Sequence, residues 1–199
     1  MRDIWYSDKR DLVKWGGLVH LCNLEQINIV LQVVYYRKNN FPKLSFGDDQ
    51  VDLPAEVTNH FRDLEDVRRL GTRTKITIRV LKDDFVHSSR RTYTLKVCDE
   101  IAKIKEQKII FLDPDTGLAP ETCKPEHVRV DEVAHIWNSL TSNDLLVFYQ
   151  HRFWPKKGDW REIRKEQFAD ACKVDVRYVK TWHSKAIADD VIFFYIKKG

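Results

Sequence analysis

Two short apolar runs, each ending abruptly in polar residues, constrain the fold of this chain more than any other feature. The first, Lys108-Ile-Ile-Phe-Leu-Asp113, stops at Asp113-Pro114-Asp115, with Gly117 just beyond. The second, Asp144-Leu-Leu-Val-Phe-Tyr-Gln-His151, repeats the plan and finishes on Tyr149, Gln150 and His151. Both read as buried strands, over 108–113 and 144–149, that deliver polar groups into a turn. In an open α/β sheet the carboxyl ends of parallel strands form the ligand crevice, so two polar strand ends mark a candidate site.

The segments around these runs carry helical spacing. After the first strand, Asp131 is placed to cap a helix with Val133, Ile136, Trp137 and Leu140 on one face. After the second, Asp159 caps another, whose stripe is Trp160, Ile163, Phe168 and Ala171. Extended segments come next at 175–182 and 191–196, joined too closely for a crossover, so they should pair antiparallel. Earlier, 11–24 reads as a helix with Leu12, Trp15, Val19 and Cys22 on one side, 27–36 as a strand, 56–70 as a helix and 75–81 as a strand. The 91–105 segment mixes two periods, and a switch from strand to helix is expected near Val97. The pattern predicts a Rossmann-like α/β fold: a mostly parallel sheet flanked by helices, ending in an antiparallel pair. No repeat or linker appears, so 1–199 is expected to form a single domain.

Of the 199 residues, 43% are hydrophobic and 32% charged, the balance of a folded soluble protein. No apolar run reaches the roughly 18 residues of a membrane span, and the start Met1-Arg-Asp-Ile-Trp-Tyr lacks a signal peptide's core, so a cytoplasmic location without membrane partners is expected. Cys22, Cys98, Cys123 and Cys172 are scattered without metal or redox spacing. The net charge of +4 permits nucleic-acid binding. Arg152, Lys156, Lys157, Arg161, Arg164 and Lys165 cluster just after Gln150-His151, with Phe153, Trp154 and Trp160 among them. This forms either a basic, aromatic rim for an anionic substrate or a solvated helix start.

Asp113 precedes a proline, which favours an extended backbone and projects the carboxylate at the strand end; the alternative is a turn-forming Asp capping local amides. Asp115 is either a second acid, binding metal beside Asp113, or an Asx-turn residue. Gly117 supplies a positive φ. His151 suits a general base, metal ligand or phosphate contact, and Gln150 could read a base edge or orient water. Gly16 and Gly17 inside a helix cost roughly 1 kcal/mol each relative to alanine, which points to close packing there.

Asp113-Pro114-Asp115-Thr116 resembles the Asp/Asn-Pro-Pro-Tyr motif that closes the fourth strand of adenine-N6 methyltransferases. Asp11-Leu-Val-Lys14-Trp15 resembles the Asp-Val-Leu-Lys-His element of one ribosomal-RNA branch of that group. The chain is also similar to a family of small bacterial proteins with a Gly-Asp-x-x-Asp-x-x-Lys-Tyr-like segment, a Phe-x-Asp-Pro-Asp-x-Gly-Leu and a Tyr-Gln-His. The matching pieces here are Ser7-Asp8-Lys-Arg-Asp11-Leu-Val-Lys14-Trp15, Phe111-Leu-Asp113-Pro114-Asp115-Thr-Gly117-Leu118 and Tyr149-Gln150-His151.

The resemblance implies a methyltransferase-like fold, S-adenosylmethionine as cofactor, a nucleic-acid substrate, and Lys14 pointing into the site. Two departures stand out. The segment after 27–36, Arg37-Lys-Asn-Asn-Phe-Pro42, has no glycine until Gly47, where such enzymes carry a Gly-rich cofactor turn. Thr116 replaces the aromatic that stacks on a flipped base.

Three readings are open. In the first, a methyltransferase-like protein acts on nucleic acid, Asp113 with the Pro114 turn holding the target amine while Lys14, Gln150, Arg152, Lys156, Lys157 and Arg161 bind substrate. In the second, Asp113 and Asp115 hold Mg²⁺ for phosphodiester hydrolysis with His151. In the third, the fold is a non-catalytic module binding nucleic acid or protein.

Overall fold

The computed structural model describes residues 8–35, 44–46, 49–52, 54, 67–81, 85–155 and 158–199. Its elements run α1 (Lys9–Glu25), β1 (Ile29–Val34), β2 (Leu44–Phe46), β3 (Asp49–Val51), α2 (Val67–Thr74), β4 (Thr77–Leu81), α3 (Arg90–Lys103), β5 (Ile109–Asp113), β6 (Gly117–Leu118), β7 (His127–Val128), α4 (Val130–Ser139), β8 (Leu145–His151), α5 (Trp160–Cys172), β9 (Lys180–Ser184) and β10 (Ala188–Lys197). The main sheet has six strands in the order β4-β1-β5-β8-β10-β9. Strands β4, β1, β5 and β8 are parallel; β10 inserts antiparallel between β8 and β9. This is the mostly parallel α/β sheet expected, with its terminal antiparallel pair. Among the described residues, no helix is long and apolar enough to cross a membrane.

Strand alternation divides the core in two. Val30, Val34, Ile109, Phe111, Leu145, Val147 and Phe193 face the side covered by α1 and α2. Leu31, Val33, Ile110, Leu112, Leu146, Phe148 and Phe194 face α3, α4 and α5. Near-continuous apolar strands are what a sheet covered on both faces requires.

Asp8 caps α1 by accepting from the amides of Arg10 and Asp11, and the helix ends at Gln26 in the left-handed conformation. Its buried face is Asp11, Val13, Lys14, Trp15, Leu18, Leu21 and Cys22. That corrects the expected stripe: Leu12 is exposed and Val19 half-buried, because the face turned to the sheet is centred about one position earlier. A Cβ on Gly17 would collide with the Trp182 indole, which donates to the Val13 carbonyl at 3.1 Å, so this glycine exists for close approach. Gly16 has open space beside it.

Other expectations change as well. The 91–105 segment is helical throughout the range of α3, with Tyr93, Val97 and Ile101 buried at i, i+4 and i+8; Leu95, which suggested alternation, is exposed. Helix α4 starts after Arg129, so Asp131 lies in its first turn, where its charge favours the helix dipole. The 175–182 segment is a 3₁₀ turn at Val176–Tyr178 and then β9. Most of the helix expected over 56–70 lies outside the described residues, which begin again at Val67.

A buried ion pair aligns β5 with β8. Lys108 Nζ meets Asp144 Oδ2 at 2.9 Å with both side chains buried, and Asp144 also accepts from the Lys108 and Thr141 amides and the Thr141 hydroxyl. Removing one partner of such a pair leaves an uncompensated buried charge. Lys108→Met is therefore expected to lower unfolding free energy by about 3–5 kcal/mol in urea denaturation, with much of the loss recovered when Asp144→Asn is added.

Candidate functional site

Asp113 closes β5 on the same face as Ile109 and Phe111, so alternation points its carboxylate at α1. There it meets Lys14, whose ammonium donates to Asp113 Oδ2 at 3.1 Å and Asp11 Oδ1 at 2.7 Å. Gln32 Nε2, from β1, donates to the same Asp113 oxygen at 2.7 Å. All four side chains are buried. Burial would pull the Lys14 pKa down, but the charges of Asp113 and Asp11 outweigh it and hold the ammonium above the ordinary lysine range. Phe111 and Tyr149 pack their rings beside it, with centroids at 5.9 and 5.6 Å.

A cavity of about 300 Å³ opens over this cluster. Helix α1 lends it Asp8, Arg10, Asp11 and Lys14; the turn after β5 lends Pro114, Asp115 and Thr116 beside Asp113; β8 lends Tyr149 and His151. It lies outside the carboxyl ends of parallel strands and beside the β1–β5 boundary, from which successive connections leave in opposite directions. Lys14, Asp113, Pro114, Asp115 and His151 are thus brought together as the two strand ends suggested.

Gln150 is not. Alternation turns it to the opposite face, where it is buried, accepts from the Leu118 amide at 2.9 Å and donates to the carbonyls of Thr116 and His151. A Cβ on Gly117 (φ 125°) would overlap the Gln150 amide, so glycine and glutamine together shape the turn that presents Asp115. Gln150 supports the site from behind, in place of the base-reading contact expected.

His151 is held on both sides: Nε2 lies 3.2 Å from Asp190 Oδ2, and Nδ1 lies 3.2 Å from the Arg152 carbonyl. With both nitrogens facing oxygen, it acts first as a fixed edge of the cavity. Asp190 also accepts from Arg10 Nε at 3.1 Å and from Nη2. Partial burial pushes the Asp190 carboxyl up, but the hydrogen bond and charge of Arg10, with His151, hold it below the usual carboxylate range. Arg10, Gln32 and Asp190 were missed from the sequence. Asp190 had a signal: it precedes the last apolar run, and antiparallel pairing sets Val191 opposite His151.

The basic cluster is partly neutralised. Arg152 donates to the Asp189 carbonyl at 2.7 Å and Oδ2 at 2.8 Å, and Arg161 reaches the same carbonyl at 3.4 Å. Lys156 and Lys157 lie outside the described residues. The buried thiols of Cys22 and Cys172 are pushed up to about 12 by burial, which leaves them poor nucleophiles. Among the described residues, no group of three or more His, Cys, Asp or Glu side chains is placed to hold a metal ion.

No family model and no curated protein matches this chain. Among solved structures it is similar to a candidate rRNA-methylase from Clostridium thermocellum, at 13% identity and a TM-score of 0.38, over 93% of this chain and 97% of that one. The sheet order and inserted antiparallel last strand define a Rossmann-like α/β fold with a mostly parallel sheet.

Two outcomes test this geometry. Lys14→Met leaves two buried carboxylates together, whereas Asp113→Ala leaves Lys14 its Asp11 partner; the first is expected to destabilise by about 3–5 kcal/mol in chemical denaturation and the second by clearly less. Because the Asp190 pKa is depressed, its contribution to stability is present above the unfolded value of about 3.9 and fades as pH falls through the folded value. Melting curves against pH should therefore show Asp190→Asn losing stability near neutrality and converging with the parent chain at low pH.

Proposed function

We propose that this chain is a methyltransferase-like protein that acts on nucleic acid through the cavity at the ends of β5 and β8. The single observation that carries the reading is the convergence of Lys14 with Asp113, Pro114 and Asp115 at the carboxyl edge of a sheet of this order.

The residues present suit S-adenosylmethionine. Its sulfonium and ammonium are cationic, and Asp8, Asp11, Asp113 and Asp115 bring carboxylates to the cavity, while the Tyr149 ring and Pro114 offer apolar surface. Arg10 is the cation closest in character to a carboxylate receptor, its guanidinium already oriented by Asp8 and Asp190. When bound, the cofactor would supply a transferable methyl group.

The chain's own side chains would then orient the acceptor. Asp113, fixed by Lys14 and Gln32, and Asp115, half-buried on the same wall, provide oxygens that accept from an exocyclic amine. The proline between them holds the two acids at the rim of the turn. Thr116 is too small to stack on a base, so an aromatic partner for the base must come from elsewhere on the rim.

Calorimetric titration with S-adenosylmethionine is the decisive measurement. Saturable binding to the parent protein, weakened at least about tenfold by Asp115→Ala with the melting temperature unchanged, is the expected result. Titration heats no larger than dilution at high protein concentration would reject the methyltransferase reading and leave a binding module.

A further inference from the structure

Residues 152–155 and the start of α5 bring three guanidinium groups against three aromatic rings. Arg152 lies over Trp154 at 5.6 Å, Arg161 over Trp160 at 5.2 Å and Arg164 over Phe153 at 4.1 Å. The pairs differ in what they leave accessible. Trp160 is buried and Phe153 half-buried, but Trp154 is 85% exposed, an extreme value for a residue that packs well. It stands three residues beyond His151, which lines the cavity, in a segment whose position is set by Arg152: its amide donates to the Asp190 carbonyl and its guanidinium to Asp189.

Asp189 pairs its carboxylate with Arg152 and offers only its carbonyl to Arg161, Asp190 is committed to Arg10 and His151, Asp159 caps α5, and Glu162 lies in the first turn of that helix. Arg164 is buried yet hydrogen-bonds only to Gln167, through Nη1 at 2.6 Å, with its Nε unpartnered and no carboxylate bonded to it among the described residues. Burial without a counter-charge lowers its pKa. A face with guanidinium groups beside one outward-facing indole matches a ligand that carries both anionic groups and flat rings.

We infer that Trp154, backed by Arg152 and Arg161, is a stacking platform for a base of single-stranded nucleic acid passing the cavity mouth. This deepens the proposed function by supplying the aromatic that Thr116 lacks, and it rests on that reading only for what happens to the base afterwards. A base gains stacking on the exposed indole face, while the guanidinium groups meet the flanking phosphates. Sequence preference is expected to be weak, because every base has a π-face.

The test measures binding of an oligo-uridylate of about a dozen nucleotides by fluorescence anisotropy, with heparin as a base-free polyanion. Trp154→Ala is expected to weaken oligonucleotide binding about tenfold while heparin binding and melting temperature stay put, and Trp154→Phe is expected to restore most of the loss. Unchanged oligonucleotide affinity in Trp154→Ala overturns the platform. So does an equal loss toward heparin, which would reduce the face to a charge patch, and so does protection of Trp154 from acrylamide quenching by anionic lipid vesicles and not by the oligonucleotide. Titrating S-adenosylmethionine into the same proteins separates the two proposals: platform behaviour without cofactor binding sinks methyl transfer alone, and cofactor binding without platform behaviour sinks this inference alone.

Discussion

The contact on which the site depends is the buried ammonium of Lys14 shared between Asp113 and Asp11. It joins the first helix of the chain to the end of a central strand across 99 positions of sequence. Buried charges persist only when paired and hydrogen-bonded, so both carboxylates depend on the one ammonium they share. Gln32 completes it from β1. The consequence is mechanical as well as electrostatic: α1 cannot slide along the sheet without breaking a charge pair in a medium that will not solvate the pieces.

A second buried lysine works at the other end of the same strands. Lys108 and Asp144 hold the starts of β5 and β8 together, while Lys14 and Asp113 hold the finish of β5 to α1. Between them, wholly apolar residues fill both faces. Two parallel strands anchored in this way must end side by side, and their terminal polar residues must share one crevice. Helix α1 brings the cations Arg10 and Lys14 to a rim that the strand ends furnish with acids, which gives the cavity its mixed character.

Much of the strand and helix order was legible because periodicity reports burial directly: period two on strands, and spacings of three and four on helices. The parity of β8 also sorted its end, had it been applied, since Tyr149 and His151 share one face and Gln150 takes the other. Legibility failed where two periods overlapped. Tyr93, Leu95 and Val97 alternate, yet Tyr93 and Val97 are also one helical turn apart, and only packing against the sheet decides which spacing is used. The resemblance pointed Lys14 into the site, but composition alone could not, because a charged residue on a buried helical face is recognisable only once its counter-charges are known.

By itself the sequence determined the alternation of strands and helices, the polar ends of two buried strands, and the basic, aromatic composition of residues 152–165 beyond the second of them. Those are local properties, set by side-chain chemistry and backbone period. Only the tertiary structure decided that Asp113 would be locked to Lys14 and Gln32, that Gln150 would brace the Gly117 turn, that Asp190 would come to His151 from the last strand, and that Trp154 would face solvent while Trp160 turned inward. Each of these depends on which elements become neighbours across the sheet, and pairing energies between distant segments leave no mark on either segment read alone.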